Sequence, residues 1–189
     1  MAPGTSPPEK TAPGSLELVQ RFVNSVDLET GEDELATPQA LRGWFAERAL
    51  MGAGERVGPA DLRRAVDVRE GLRALLLQNN GLPLDEARVE RLDDAAARAG
   101  VRVSFTAAAG PELVPGATGT DGALARLLAI VAESVASGTW PRLKACPRED
   151  CEWAFYDNSK NRSGRWCKMA ECGNLAKAEA FRARRQARR

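Results

Sequence analysis

Before residue 140, apolar residues recur with the helical period in five stretches, and this pattern predicts most of the architecture. Residues 1–15 lack it. They are rich in Pro, Gly, Ser and Thr and read as a disordered leader. From Leu16 onward, Leu18, Phe22 and Val26 fall at helical spacing, with Val19 and Val23 beside them, and the helix runs into the acidic loop DLETGEDELATP. Thr37 followed by Pro38 supplies an N-cap and a proline at the first helical position. The helix they open runs to Met51 with Leu41, Trp44, Phe45 and Ala49 on one face. Gly58-Pro59 opens the longest helix, with Leu62, Val66, Arg69, Leu72 (or Arg73) and Leu76 in period and Asn80-Gly81 as its stop. A fourth helix over 85–99 turns Ala87, Leu92 and Ala95 or Ala96 inward. VRVSFT then alternates with period two, Val101, Val103 and Phe105 on one side, and a Gly/Pro-rich stretch after it predicts one β-hairpin. Thr120-Asp121-Gly122 opens a last apolar helix whose Leu124, Leu127, Leu128 and Val131 suit a bundle core.

Beyond Trp140 the pattern changes. Every cysteine lies between 146 and 172, as two C-x4-C pairs, Cys146/Cys151 and Cys167/Cys172, separated by fifteen residues. Two close pairs joined by a hairpin-length insert can bring four thiolates around one tetrahedral ion. Within the insert, EWAFYD reads as a strand with Trp153 and Phe155 on one face and Ala154 and Tyr156 on the other. NSKNRSG is turn chemistry, RWC is the expected return strand, and GNLAKAEAFRARRQARR is a helix former. Knuckle, hairpin, knuckle, helix is a treble-clef-like order. The expected fold class is therefore mainly α with small β-hairpins: a leader (1–15), a helical N-terminal domain (16–140) and a C-terminal zinc module (141–189). Four protein ligands leave no open position, so one structural Zn2+ is expected, with a rubredoxin-like iron as the chemical runner-up. A module this small cannot bury enough surface to fold alone, whereas structural zinc contributes about 10–16 kcal/mol in small fingers.

Charge adds a second division. The formal net charge is +1, but residues 142–189 carry 13 Lys and Arg against 6 Asp and Glu, and residues 1–141 carry 14 against 20. Lys160, Arg162 and Arg165 at the hairpin tip, with Lys177, Arg182, Arg184, Arg185 and Arg188 on the tail helix, form the candidate nucleic-acid-contacting set. The plainer alternative is a solvated tail. The chain has no histidine, and no phosphate loop, nucleophile elbow or carboxylate pair is visible, so an enzyme is not expected. No apolar run could span a bilayer and no signal-peptide pattern appears, which points to a cytoplasmic protein with reduced thiols and no membrane partner. Arg69 and Arg73, one turn apart, either project toward a pocket, or snorkel to the surface or pair with Asp67 or Glu70.

The run Trp166-Cys167-Lys168-Met169-Ala170-Glu171-Cys172-Gly173-Asn174 resembles the CGNR zinc finger. The upstream C-x4-C, Phe155-Tyr156-Asp157, Ser159-Lys160-Asn161 and Lys177 agree with it, while Leu175 stands where the family's name-giving arginine would be. RFVNSVD, TPQALRGWF and VREGLRALL resemble motifs of the ABATE domain usually found before this finger, with Arg21 where aspartate is usual. The resemblance implies a bacterial, stress-linked transcription regulator that binds double-stranded DNA. It also implies an N-terminal domain sensing an unidentified small ligand, for which Asn24, Trp44 and Arg69 are the pocket candidates, and it leaves homodimerisation open. The alternative is a protein-interaction adaptor, or an RNA binder, that uses the zinc module as a scaffold.

Overall fold

In the computed structural model, which describes residues 10–52, 54–107 and 110–186, the helices begin where their local chemistry starts them. Helix α1 (Leu16–Val23) turns Leu16, Val19, Phe22 and Val23 inward. Helix α2 (Pro38–Glu47) starts on Thr37, whose hydroxyl accepts the Ala40 N–H at 3.1 Å. Helix α3 (Pro59–Asn79) starts where the Gly58 N–H donates to the Asp61 carboxylate at 2.7 Å, and α4 (Glu86–Ala99) where Asp85 accepts the Arg88 N–H at 3.0 Å. Strands β1 (Val101–Thr106) and β2 (Gly110–Pro115) form an antiparallel hairpin against α5 (Gly119–Ala136). A 3-10 turn, Trp140–Arg142, leads into β3 (Leu143–Ala145), which pairs antiparallel with β4 (Ala154–Tyr156). A π-helical turn, Met169–Gly173, runs directly into α6 (Asn174–Gln186).

Helix α3 is the hub, packed by α1, α2, α4, α5 and β3. Gly71 is what lets α4 approach, since a Cβ there would lie 2.4 Å from the Leu92 Cβ. Phe22, Trp44 and Phe45 form an aromatic group, Phe22 lying 5.4 and 6.3 Å from the other two ring centroids. The same apolar cluster continues into the cysteine module through Leu143, Ala145, Ala154 and Tyr156. On the other side of β4, Phe155 packs with Cys146, Cys167 and Cys172, flanked by Trp153 and Trp166. The two-sided reading of EWAFYD thus matches the structure, and β4 is a strand shared by two clusters.

Side-chain amides fix that shared strand. Asn24 accepts the Ala154 N–H at 2.7 Å and donates to the Ala154 carbonyl at 2.9 Å, doing the work of a neighbouring strand; Gln20 donates to the same carbonyl at 3.1 Å. Asn79 donates to the carbonyls of Trp140 and Leu143, and Asn80 to those of Ala145 and Arg165, all within 2.7–3.0 Å. The bonds to Leu143, Ala145 and Ala154 satisfy backbone groups of the three-residue strands, and those to Trp140 and Arg165 tie the flanking turn and loop to α3.

The expected class, mainly α with small hairpins and a C-terminal four-cysteine module, is the class observed. Several details differ. The chain is already packed at Lys10–Ala12, within the expected disordered leader: Ala12 is buried, its N–H donates to the Gln20 side chain at 2.7 Å, and the Lys10 ammonium lies 4.8 Å from the Phe155 ring centroid and donates to the Trp166 carbonyl. The leader's first nine residues lie outside the described residues. Helix α2 stops at Glu47 because Ala49 takes a left-handed φ of 54°; Ala49 is exposed and Leu50 fills the core instead. On α3 the most deeply buried apolar residues are Ala65, Val68, Leu72 and Leu76, with Leu62 and Val66 only half-buried, and on α4 Ala87 is exposed while Ala99 is buried. Val101, Val103 and Phe105 share one side as expected, but it is the outer side, because α5 covers the other. RWC is not a return strand. The preceding loop is wound around Asp157, so β4 pairs with β3 and the hairpin closes around the first cysteine pair. Among the described residues no helix is long and apolar enough to cross a membrane.

Candidate metal centre and basic surface

The four cysteine sulfurs lie within 4.8 Å of one another, as free cysteines. Cys151 is 3.6 Å from Cys167 and 3.7 Å from Cys172, and Cys167 is 3.5 Å from Cys172. A tetrahedral ion with metal–sulfur bonds of about 2.3 Å sets its sulfurs about 3.8 Å apart, whereas a disulfide needs about 2.05 Å. The spacing therefore fits an ion. Close approach also sets the thiols against one another. Hydrogen bonds from Cys151 and Cys167 favour the thiolate at Cys146. The Cys151 and Cys167 thiols are pushed up in turn by their bonds to Cys146, and that of Cys172 is pushed up by burial. Four sulfurs this close cannot all ionise without a cation. Together Cys146, Cys151, Cys167 and Cys172 can hold one structural, tetrahedrally bound metal ion, with no position left for a substrate.

The loop leaving β4 is built on one buried ion pair. The Lys144 ammonium donates to Asp157 at 2.7 Å and to the carbonyls of Arg162 and Gly164 at 2.7 and 2.9 Å. Asp157 also accepts the N–H groups of Ser159 at 3.0 Å and Gly164 at 2.8 Å. Glycine is required at 164, since a Cβ would lie 2.5 Å from Asp157 Oδ1. Lys160, Arg162 and Arg165 are thereby exposed on a loop whose backbone is fixed.

Burial acts to raise the Asp157 carboxyl, but Lys144 and Ser159 outweigh it and hold it below the usual carboxylate range. A depressed folded value means the stabilisation is complete above about pH 4, where the unfolded carboxylate ionises. It is lost as pH falls through the folded value. Asp157→Asn is expected to cost about 3 kcal/mol by leaving Lys144 buried without its counter-charge. It should also flatten the loss of stability as pH falls below about pH 4, in denaturant titrations across that range. An unchanged acid slope would mean that Asp157 is not the titrating group.

Helix α6 buries none of its side chains, and Lys177, Arg182, Arg184 and Arg185 are exposed along it; Arg188 lies outside the described residues. Both basic segments spring from the cysteine tetrad, Arg165 preceding Cys167 by two residues and Asn174 following Cys172 by two. Leu175 is 47% exposed at the start of α6.

Asn24, Trp44 and Arg69 gather around the α1–α2 loop, and their polar groups are engaged within the chain. Asn24 holds Ala154. Trp44 donates its indole N–H to Glu34 at 2.9 Å, under the Arg48 guanidinium, which lies 4.0 Å from the ring centroid. Arg69 forks onto Asp33 at 2.8 and 3.0 Å and reaches Ser25 and Glu70. Burial opposes its charge, but Asp33 and Glu70 more than compensate. Of the readings left open for Arg69 and Arg73, pairing with Glu70 is the observed one for both. Arg73 matters more than the sequence indicated. Fully buried, it donates to Glu70, to the Val23 carbonyl at 2.7 Å and to the Glu152 carbonyl at 2.9 Å, joining α1, α3 and the first cysteine pair. Its carbonyl partners lie 50 and 79 residues away, beyond what any local pattern carries.

Two family models match the chain. Residues 16–138 match the ABATE model, described as "Putative stress-induced transcription regulator", and residues 142–185 match the CGNR zinc finger, which decides for zinc over iron. No curated protein matches the chain.

Proposed function

Since the chain belongs to the ABATE family and ends in a CGNR zinc finger, we propose that it binds double-stranded DNA through the 158–165 loop and α6, as a transcription regulator. The observation that carries this reading is that α6 leaves the zinc site with no side chain buried and at least four cations exposed. A bare helix about 10–12 Å across fits the major groove, which is about 12 Å wide. Thirteen residues with no buried side chain form a marginal helix in water, so contact with a polyanion would also stabilise it. The loop cations are suited to phosphates, because their backbone is pinned by Lys144 and Asp157 and little order is lost on binding. Leu175 in place of arginine leaves phosphate contact to Lys177, Arg182, Arg184 and Arg185. In this reading the helical domain supplies a rigid seat for the finger, and ligand sensing by the residues near Asn24, Trp44 and Arg69 would act by shifting that seat.

The test is fluorescence anisotropy of zinc-loaded protein with duplex DNA across a salt series. Affinity should fall steeply with salt, and replacing Lys160, Arg162 and Arg165 together by alanine should reduce the slope of log K against log salt by up to about 3. No affinity for duplex DNA at low salt would end this reading. Preference for single-stranded RNA in competition would favour the RNA alternative, and recovery of one stoichiometric protein partner by a protein that binds no nucleic acid would favour the adaptor.

A further inference from the structure

Beside the cysteine tetrad lies a cleft of about 460 Å³. Cys151 and Cys172 border it, and Cys146 and Cys167 do not. Cys146 is fully buried, while Cys151 is only half-buried. Cys172 borders the cleft but, like Cys167, is buried, so the 3.7 Å edge between Cys151 and Cys172 is open to solvent at its Cys151 end. Coordinated thiolates remain nucleophiles, and access decides which of them reacts.

The charges at the cleft restrict what reaches that edge. Glu29, Asp150 and Glu171 line it against a single cation, Arg148, and Arg148 is already paired with Asp150. Four thiolates on one divalent ion add two further negative charges. Anionic oxidants are repelled by such a field, and a small neutral one is not. A molecule little larger than water, which occupies about 30 Å³, enters such a space freely.

The geometry points to a redox site: hydrogen peroxide enters this cleft and converts Cys151 and Cys172 to a disulfide, expelling the zinc. A lone pair of the Cys151 sulfur attacks one peroxide oxygen, an S–O bond forms as the O–O bond breaks, and the departing hydroxide takes a proton from solvent. Cys151 is then a sulfenic acid and a poor ligand. The Cys172 thiolate attacks the Cys151 sulfur, the S–S bond forms as the S–O bond breaks, and a second hydroxide leaves and is protonated. The two thiolates lose two electrons, one peroxide gains them, and two waters and the metal ion are released. The sulfurs close from 3.7 Å to about 2.05 Å. The disulfide ties the first cysteine pair to the turn before α6 but leaves Cys146 and Cys167 without an ion, so the loop and α6 lose their common anchor. Loss of DNA contact on oxidation rests on the reading above; the oxidation itself does not.

The experiment treats the full zinc-loaded chain with hydrogen peroxide, following zinc with a chelating dye and the cysteine products by peptide mass spectrometry. One zinc per chain should be released, with Cys151–Cys172 as the first disulfide. Leu175→Trp, which fills the cleft from an exposed position, should slow release by at least about five-fold with zinc content and circular dichroism unchanged; Ala170→Trp is the second filler if the first fails to load zinc. Glu29→Lys should accelerate release by oxidised glutathione, an anionic disulfide, and leave the peroxide rate unchanged. A first product that pairs Cys146 or Cys167, or release indifferent to both fillers, overturns the assignment. Formation of this disulfide with zinc loss and no change in duplex affinity would leave the redox site standing and show that duplex binding does not run through the metal-anchored loop and α6.

Discussion

Exchange of Cys167 for serine should abolish zinc binding and destabilise the whole chain in one transition, including the helices before residue 140. The metal's share is large: structural zinc contributes about 10–16 kcal/mol in small fingers, comparable with the entire net stability of about 5–15 kcal/mol of a typical domain. The sequence suggests a module that unfolds alone from about residue 142, and the packing does not favour that outcome. Leu143, Ala145 and Ala154 are fully buried in the same cluster as Phe22, Phe45 and Leu72. Asn24, Asn79, Asn80 and Arg73 would all lose backbone partners in the module, and each buried polar group left unpaired costs about 1–3 kcal/mol. The measurement is thermal unfolding followed by far-UV circular dichroism, where the helices dominate the signal. It is run on the variant and, without any mutation, on wild-type protein with a chelator. A helical transition at the zinc-loaded temperature in either sample would show that the two parts are independent units.

The sequence disclosed what is set locally. Ligand spacing showed the tetrad, and cap chemistry at Thr37-Pro38 and Gly58-Pro59 marked the starts of α2 and α3 at the residues observed. Alternation in EWAFYD separated the faces of β4 correctly because period two is a property of the strand itself. The misreadings share a different cause. Periodicity says that Val101, Val103 and Phe105 share a side, but only the position of α5 decides that this side faces out. Helix α3 is packed from several directions, so no single stripe describes it, and arginines within it resemble snorkelling surface residues until Asp33, Glu70 and distant carbonyls come into view. RLKA is too short to show a period, so β3 was invisible as a strand and RWC took its place in the expected hairpin. In a linear reading Gln20 and Asn79 look like solvated residues, Asn24 like a pocket candidate and Asn80 like part of a helix stop. Their work is to bond backbone 61 to 134 residues away, and nothing in their neighbourhoods encodes that. For the basic surface, residue type named the candidates and only the fold separated them from cations spent in internal pairs, such as Arg69, Arg73 and Lys144.

Arg73→Met should cost about 3–5 kcal/mol although methionine fills a similar volume, because the loss is of charge and hydrogen bonds more than of packing. The guanidinium is fully buried and is the common partner of the Val23 carbonyl, the Glu152 carbonyl and Glu70. Lysine should not rescue it. A single ammonium cannot reproduce the planar fork that reaches α1 on one side and the first cysteine pair on the other. If the finger is held in its zinc-binding form partly by this seat, the loss is transmitted to the metal. A cost of about 3 kcal/mol corresponds to up to about 100-fold weaker zinc binding, with every cysteine ligand still present. Denaturant unfolding of Arg73→Met and Arg73→Lys, and zinc competition against a chelator of known affinity, measure the two effects separately. Lost stability with unchanged zinc affinity would place Arg73 in the helical core alone. Parallel loss of both is expected if α1, α3 and the finger fold as one cooperative unit, with the metal site on one side of β4 and the helical core on the other.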